Sequence, residues 1–322
     1  MQLSWNDPRL SLAGDSRKIA RHRLLQSWYR EQILQARYGE ITVAGGERPL
    51  SSLLHAQDVR DRPGLNFITP RAADYARQRA DVVVAAGGRI DREELTQDML
   101  SSVPMSFSIF GELRLRADRG LDVVQAYLDP QAVAVELMEC SWRPAIDVFG
   151  DRGSFDAAVI TTRRDGSRHL VGIDVKYVEA FNPTIYNSHA YRHMHEYSGW
   201  FRPGTSRAAV GPATNQLWRH SLLAAACAQD RVMGISSASV AVLCLAEDPG
   251  AVRALAGLSA ALRDPQRHCR IVSLESLVAG FREGIGAGPD WANSFATRYL
   301  DPPLIRAELP DLESDDAEQL DA

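Results

Sequence analysis

Two β-strand patterns separated by a short turn stand in the middle of this chain. The segments SFDAAVITT (154–162) and RHLVGIDVKY (168–177) each place apolar residues at alternate positions, as a strand with one buried face does. The intervening residues, RRDGS, contain Asp165-Gly166, which suits a three-residue loop over 164–166 with Gly166 in the left-handed conformation. The sequence therefore predicts a β-hairpin at this point.

The turn determines which residues of the two strands face each other. In this register the numbers of paired residues sum to 330. One face then holds three apolar pairs, which are Phe155 with Val175, Ala157 with Ile173, and Val159 with Val171. The other face places Asp156 opposite Asp174. A two-residue Asp-Gly turn would put Asp156 beside Val175 and mix polar with apolar residues on both faces, so burial favours the first register.

The facing pair Asp156 and Asp174 needs a positive partner. Their β-carbons should lie roughly 4.5 to 5.5 Å apart, where like charges destabilise a sheet by about 0.2 to 1 kcal/mol. Lys176 lies on the same face, and a Mg²⁺ or Mn²⁺ ion takes oxygen ligands from one or two carboxylates. We interpret the pair as half of a divalent-metal site with a lysine beside it. The alternative is an exposed hairpin carrying an Asp–Lys ion pair, which costs little on a solvated face.

The rest of the chain supplies the elements of an α/β fold. The first hundred residues are predicted to be mainly helical, with Ser16 capping a helix that runs to about Arg37. From residue 101 the predicted elements are a helix (101–117), a strand (132–139), the two hairpin strands, a helix (214–229), a strand (237–246), a helix (250–262) and a strand (269–274). This order indicates an α/β sandwich around one mixed sheet.

Composition narrows the possible classes of protein. The chain has 322 residues and a net charge of -5, but the last sixteen residues contain seven acidic and no basic residues, so residues 1–306 carry 36 basic and 34 acidic ones. We expect a disordered acidic tail after a nearly neutral body, and we predict that this tail mimics DNA and shields a basic groove. No long apolar run and no signal-peptide pattern is present, so we expect a cytoplasmic protein that does not span a membrane. Four widely spaced cysteines predict buried free thiols.

The hairpin and the helix after it resemble a nuclease family. Asp156, then Ile173-Asp174-Val175-Lys176, then Gln216 in NQLWRHSLLA are similar to the motifs of the PD-(D/E)XK nuclease superfamily. The segments SFSIFGEL, DVKYVE (174–179) and QLWRHSLLA are similar to a bacterial branch described as restriction endonucleases. The resemblance covers residues 16–302, with its motifs within 101–223. Phe155 stands where the signature has proline.

The resemblance implies a fold and an activity. The fold is a restriction-endonuclease-like three-layer sandwich with a central mixed sheet over 101–302, after an N-terminal helical region over 1–100 and before the acidic tail over 303–322. The activity is a Mg²⁺- or Mn²⁺-dependent endonuclease that hydrolyses phosphodiester bonds in DNA. Cleavage of both strands would favour a homodimer. A catalytically inactive nucleic-acid-binding or regulatory protein on the same scaffold is the main alternative, and a Schiff-base lyase that uses Lys176 is a third.

The resemblance also implies roles for individual residues. Asp156 and Asp174 would hold the metal, with the Val175 carbonyl as a further ligand, and Lys176 would orient the attacking water and stabilise the transition state. Gln216 would position the lysine or the phosphate. Two further residues are candidates, Arg219 for a phosphate contact and Glu112 for the helix-borne glutamate of many members.

A histidine-rich segment, NSHAYRHMHEYSGWFRPG (187–204), is not explained by these motifs. His189 and His193 are spaced i, i+4, which suits a zinc ion if the segment is helical, and His195 and Glu196 follow closely. The glycines and proline near its end suggest instead a long insertion whose aromatic and basic residues contact a nucleic acid by stacking and charge. Plain packing is the third possibility.

Overall fold

The computed structural model describes residues 9–300, apart from 11, 13, 44, 45, 119, 148, 151, 152 and 247, so the predicted acidic tail (303–322) lies outside the described residues. Its strands form one two-stranded and one five-stranded sheet. The strands are β1 (Tyr38–Val43), β2 (Gly46–Leu54), β3 (Ala132–Trp142), β4 (Phe155–Arg163), β5 (Arg168–Val175), β6 (Ile235–Cys244) and β7 (Cys269–Ser273).

Helices surround the larger sheet and form most of the N-terminal region. They are α1 (Arg17–Tyr29), α2 (Ala56–Asp61), α3 (Pro70–Ala85), α4 (Arg92–Gln97), α5 (Ser102–Leu113), α6 (Leu121–Val123), α7 (His189–Tyr197), α8 (Ser206–Ala209), α9 (Asn215–Gln229), α10 (Pro249–Ala261), α11 (Pro265–His268), α12 (Leu274–Arg282) and α13 (Pro289–Tyr299). Short π-helical stretches continue α1 (Arg30–Leu34) and α6 (Val124–Leu128), and a 3-10 helix (Val232–Gly234) precedes β6.

The five-stranded sheet is mixed and has the order β3-β4-β5-β6-β7. Its first three strands are antiparallel, and β5, β6 and β7 run parallel to one another. Helices α3, α5, α12 and α13 bury one face, whereas α7, α9 and α10 bury the other. The elements predicted after residue 101 occur in the predicted order, with further helices between and after them. The fold is an α/β sandwich of the restriction-endonuclease-like kind.

The hairpin has the register that the turn predicts. The Arg163 N–H donates to the Ser167 carbonyl and the Gly166 N–H donates to the Arg163 carbonyl, both at 2.9 Å. Gly166 has a φ of +80°, in the left-handed region. The paired residues of β4 and β5 run from Ala157 with Ile173 to Thr162 with Arg168, and each pair sums to 330. The three-residue turn, which burial of the apolar face favours, is therefore confirmed.

Phe155 departs from this pattern, and the prediction that it lies on the face of Ala157 is wrong. Its ring stacks on Trp142 with centroids 6.1 Å apart and belongs to the core beneath α9. It covers Gly172, where a β-carbon would lie 2.4 Å from the ring. Both faces of the hairpin are buried here, so the polar face is not a solvent-exposed surface.

The prediction that the first hundred residues are mainly helical is confirmed only in part. Ser16 caps α1 as predicted, but the α-helix ends at Tyr29 and the π-helical stretch ends at Leu34. The antiparallel pair β1 and β2 was not predicted. Helix α1 lies against the end of β5, where Nδ1 of His22 is 2.9 Å from the hydroxyl of Tyr177. The proposed domain boundaries stay a prediction.

Two predictions from composition can be compared with the structure. The four cysteines, Cys140, Cys227, Cys244 and Cys269, are free and buried as predicted. Across the described part of the chain, every helix is too short or too polar to cross a membrane.

Candidate active site

The candidate active site lies at one end of the central sheet. Asp156 is the second residue of β4, Asp174 is the next-to-last residue of β5, and Lys176 follows directly after β5. The Lys176 N–H donates to the Leu243 carbonyl of β6 at 2.8 Å, so the chain is still held to the sheet at this point. The two hairpin strands therefore bring three of the predicted site residues to the same sheet end.

Asp174 and Lys176 form a buried ion pair. Nζ of Lys176 lies 3.0 Å from Oδ1 of Asp174, and their side chains are 8% and 0% exposed. The ammonium also lies 5.2 Å from the ring centroid of Phe181, within the range of a cation–π contact. Removing two charges from water is costly, and it is tolerated only with close pairing and further hydrogen bonds. An exposed surface ion pair, the alternative considered for this hairpin, is therefore excluded.

Asp156 is held in place by the strand that carries the second carboxylate. Its Oδ2 accepts the backbone N–H of Val175 at 2.8 Å, beyond the last regular pair of the hairpin. Its backbone carbonyl accepts the hydroxyl of Ser106 on α5 at 3.2 Å. The Asp156 and Asp174 carboxyl groups are close enough to share a hydrogen bond. The hairpin register thus brings the two carboxylates together, as the sequence predicts.

The two carboxyl groups have opposite shifts in pKa. Burial and then the negative charge of Asp174 raise the pKa of Asp156 well above its usual range. Burial also acts to raise the pKa of Asp174, but the charges of Lys176 and His220 outweigh it and lower that pKa. Burial acts against the charged form of Lys176, yet the two aspartates raise its pKa. One ammonium therefore stabilises one of the two carboxylates, and a second positive charge would relieve the repulsion between them.

Helix α9 contributes two side chains to the pair. Nε2 of Gln216 lies 3.3 Å from both carboxylate oxygens of Asp174 and donates to them, and Oε1 of Gln216 accepts the Asn182 N–H at 2.8 Å. Nδ1 of His220, one turn further along α9, is 3.7 Å from Oδ2 of Asp174. Gln216 therefore orients the carboxylate, and not the lysine or a phosphate that the resemblance implies. His220 was missed, although its i+4 spacing from Gln216 places it on the same helix face.

Arg219 lies one turn after Gln216 but points to aromatic residues. Its guanidinium carbon is 3.8 Å from the ring centroid of Tyr186, and its Nε donates to the hydroxyl of Tyr191 at 2.9 Å. Both tyrosines belong to the segment between β5 and α9. The structure therefore places Arg219 beside the candidate site, stacked on this segment, and its role as a phosphate contact stays a prediction.

Glu112 is held elsewhere on α5. Its Oε2 accepts the hydroxyl of Thr69, the residue that caps α3, at 2.8 Å. Ser106, the α5 residue that contacts Asp156, is six residues earlier, which is about 9 Å along a helix. Glu112 thus stabilises the contact between two helices, and the structure does not bring it to the carboxylate pair.

The histidine-rich segment forms helix α7, as the zinc alternative required. The rings of His189 and His193 lie on one helix face with centroids 6.2 Å apart. His195 is buried on the other face, where its Nδ1 accepts the indole N–H of Trp218 at 3.0 Å and its Nε2 is 3.1 Å from the Thr205 hydroxyl. Over the described residues, no three His, Cys, Asp or Glu side chains converge as a metal site. The zinc alternative therefore lacks a ligand set.

The pair Asp156 and Asp174 nevertheless fits one class of metal ion. Mg²⁺ is bound typically through one or two carboxylates and completes its octahedral shell with waters and substrate phosphates. Two adjacent carboxylates at the end of a sheet supply such a ligand set without a third acidic residue. The raised pKa of Asp156 gives the physical reason, since a cation between the carboxyl groups would offset their repulsion.

Comparison with known proteins identifies the family of the chain. The family model described as PD-(D/E)XK nuclease superfamily matches residues 13–301, which is nearly the whole chain. No curated protein and no solved structure matches this chain. The matched range includes the hairpin, α9 and all the helices described above. On the extent of this match and the mixed five-stranded sheet, the chain belongs to the PD-(D/E)XK nuclease superfamily.

Proposed function

We propose that this protein is a metal-dependent endonuclease that hydrolyses phosphodiester bonds in DNA. The observation that carries the proposal is the constellation at the sheet end, in which Lys176 lies 3.0 Å from Asp174 and the carboxyl group of Asp156 lies beside that of Asp174. A chain that needed only a stable core would gain little from two adjacent carboxylates there, because burying like charges is costly. Membership of a nuclease superfamily supports the same conclusion.

Asp156 and Asp174 would hold the metal, Mg²⁺ or Mn²⁺, through carboxylate oxygens. When bound, a divalent cation of this kind polarises a phosphoryl oxygen and acidifies a water molecule. Asp156 is partly exposed, whereas Asp174 is fully buried, so Asp156 presents the more accessible carboxylate to incoming ligands. The Val175 N–H and the Gln216 amide fix the two carboxylates, so that little reorganisation is needed on binding.

Lys176 would act on the water and on the scissile phosphate. Its raised pKa keeps the ammonium charged over the whole physiological range, so it serves as a fixed positive charge and hydrogen-bond donor. Such a preorganised and largely buried donor stabilises the negative charge that develops in the transition state. Gln216 would act through Asp174 as a positioning residue. A Schiff-base role for Lys176 is disfavoured, because an amine nucleophile must lose its proton.

Cleavage of supercoiled plasmid DNA tests this proposal. We expect nicking or cutting with Mg²⁺ or Mn²⁺ and none with EDTA. Asp174 and Lys176 are buried, so the variants at these residues should keep the size of the side chain. Asp174→Asn keeps the side-chain volume, and Lys176→Met keeps much of the apolar stem. Each should lower the cleavage rate by about 100-fold or more. Asp165→Asn, at the exposed turn of the same hairpin, is the matched control and should cleave at the wild-type rate.

The outcome separates the nuclease from the inactive alternative. Circular dichroism and thermal unfolding must first show that both site variants are folded. If wild-type protein binds DNA but leaves it intact with either metal, the scaffold is a binding or regulatory protein. If folded Asp174→Asn and Lys176→Met both cleave as well as the wild type, another site is responsible. A matched RNA substrate in the same assay tests the assignment to DNA.

A further inference from the structure

Three aromatic rings form a row on the solvent-exposed face of α7. His189, His193 and Tyr197 are spaced four residues apart and so share one side of the helix. Neighbouring ring centroids are 6.2 and 4.5 Å apart. All three residues are exposed, and Tyr197 is 69% exposed, the highest value among the large hydrophobic side chains described. We call these three residues the α7 ring row.

The opposite face of α7 fixes the row against α9. Tyr191 and His195 are buried there, and the ring of Tyr191 packs on Trp218 with centroids 5.6 Å apart. The indole N–H of Trp218 donates to Nδ1 of His195. Arg219 donates to the hydroxyl of Tyr191. The α7 ring row is therefore attached to the same helix that orients Asp174.

The exposed chain between β5 and α7 connects the ring row to the candidate active site. The Asn182 N–H donates to Gln216, whose amide donates to Asp174. Tyr186 is bound at both backbone groups by Asn215, with its N–H donating at 2.9 Å and its carbonyl accepting at 3.1 Å. The segment from Asn182 to Tyr197 therefore extends from the carboxylate pair to the ring row, and α9 binds it along the way.

The sequence around this surface carries an excess of positive charge, which complements a polyanion. Residues 180–220 contain four arginines (Arg192, Arg202, Arg207 and Arg219) and one acidic residue, Glu196, in a chain whose net charge is -5. Three of these arginines are exposed and Arg219 is partly so. Nucleic acids bind where basic groups follow the backbone and aromatic rings offer stacking surfaces for bases. Exposed rings together with local positive charge meet both requirements.

We infer that the α7 ring row stacks with unpaired bases of the strand whose phosphate lies at the carboxylate pair. This inference rests on the proposed function and deepens it, since it names a substrate with a single-stranded segment instead of an uninterrupted duplex. In a duplex the faces of the bases are stacked inside the helix, so exposed rings reach them only where the strand is unpaired. Contacts to the backbone alone would need the arginines and not the rings.

The test compares binding of a labelled single-stranded oligonucleotide with that of the same sequence as a duplex. Fluorescence anisotropy in Ca²⁺, with a gel to show that the DNA is intact, gives both dissociation constants. The variant is His193→Ala with Tyr197→Ala, and it should weaken single-strand binding by about 10-fold or more. Duplex binding should change by less than about 2-fold. Tyr197→Phe, which keeps a ring, and Val252→Ala, an exposed change on α10, should both bind like the wild type.

Each other result has a definite meaning. Unchanged single-strand affinity in the double variant overturns the inference and leaves the ring row to a protein partner. An equal loss for duplex and single strand also overturns it, because the row would then contact the backbone. If the single-strand effect is present but wild-type protein cuts no DNA with Mg²⁺ or Mn²⁺, the ring row stands and the nuclease proposal fails.

Discussion

The backbone N–H of Val175 donates to Oδ2 of Asp156 at 2.8 Å, so β5 holds the carboxylate of β4 beside its own. Neighbouring residues of a strand point to opposite faces. A slip of β5 by one residue would remove this donor and turn Asp174 toward the other core. The hairpin register therefore determines the geometry of the candidate site as well as the composition of the two cores.

Neutralising Asp156 should stabilise the metal-free protein. Burial and the charge of Asp174 raise the pKa of Asp156 above its unfolded value, so the ionised form costs stability once the pH exceeds that unfolded value. Asp156→Asn removes this cost and keeps an oxygen that can accept the Val175 N–H. In EDTA at pH 8, thermal unfolding should show a higher Tm for the variant, by about 2 °C for each 1 kcal/mol gained. The same variant should lose DNA cleavage.

The pH dependence provides the control for this prediction. Near pH 3.5 Asp156 is protonated in the folded state and mostly protonated in the unfolded state, so the variant and the wild type should unfold at more similar temperatures than at pH 8. Glu47→Gln, at an exposed residue of β2, should leave the Tm at pH 8 unchanged. A lower Tm for Asp156→Asn at pH 8 would show that the carboxylate is a net stabilising group and would contradict the proposed repulsion.

Much of the fold can be predicted from the sequence because burial restricts the register of a hairpin. The Asp165-Gly166 turn and the alternating apolar residues were enough to place Asp156 near Asp174. The ring position of Phe155 could not be predicted, since it depends on the space above Gly172 and on Trp142 of β3. Residue alternation describes a regular strand and fails where the strand pairing ends.

Contacts between distant segments account for the other differences. Gln216 was predicted as a site residue, but its acceptor, Asp174, depends on how α9 lies on β5. Glu112 was an open candidate because a helix pattern does not show that Thr69 lies opposite it. Predicting His220 as a site residue would require both its i+4 spacing from Gln216 and the position of Asp174. Tertiary packing, which local patterns do not encode, decides each of these.

The packing of the Phe155 ring should require a glycine at residue 172. A β-carbon at residue 172 would lie 2.4 Å from that ring, so Gly172→Ala forces the aromatic side chain to move. Overpacking of this kind typically costs about 1 to 3 kcal/mol. Urea unfolding should show this loss of stability. In the background of Phe155→Leu the same glycine change should cost less, and equal costs in the two backgrounds would exclude a clash with the ring as the cause.

Divalent metal should stabilise the folded protein through the carboxylate pair. A ligand that binds only the folded state at 100 times its Kd adds about 2.7 kcal/mol. Mn²⁺ should therefore raise the Tm of the wild type and of Asp165→Asn. Asp156→Asn and Asp174→Asn should lose most of the increase. An equal rise in all four proteins would place the bound metal away from this pair.

Acid should destabilise the fold through His22, the residue of α1 that meets the hydroxyl of Tyr177 next to Lys176. Burial first, and then Arg21 and Lys18, lower the pKa of His22 to about 3. Because the unfolded histidine titrates near 6.5, stability from this group is complete above pH 6.5 and is lost as the pH falls toward 3. Between pH 7 and pH 5 the loss should be about 2 kcal/mol.

The variant His22→Gln, which cannot gain a proton, should show a smaller fall in the free energy of unfolding over this interval. His193→Gln, on an exposed residue of α7, is the control and should follow the wild type. Some acid sensitivity should persist in the variant, because burial lowers the pKa of His169 to about 3 as well. Urea unfolding at pH 7 and pH 5 measures the difference directly. Equal losses in the wild type and His22→Gln would mean that His22 accepts its proton without opening the contact between α1 and Tyr177.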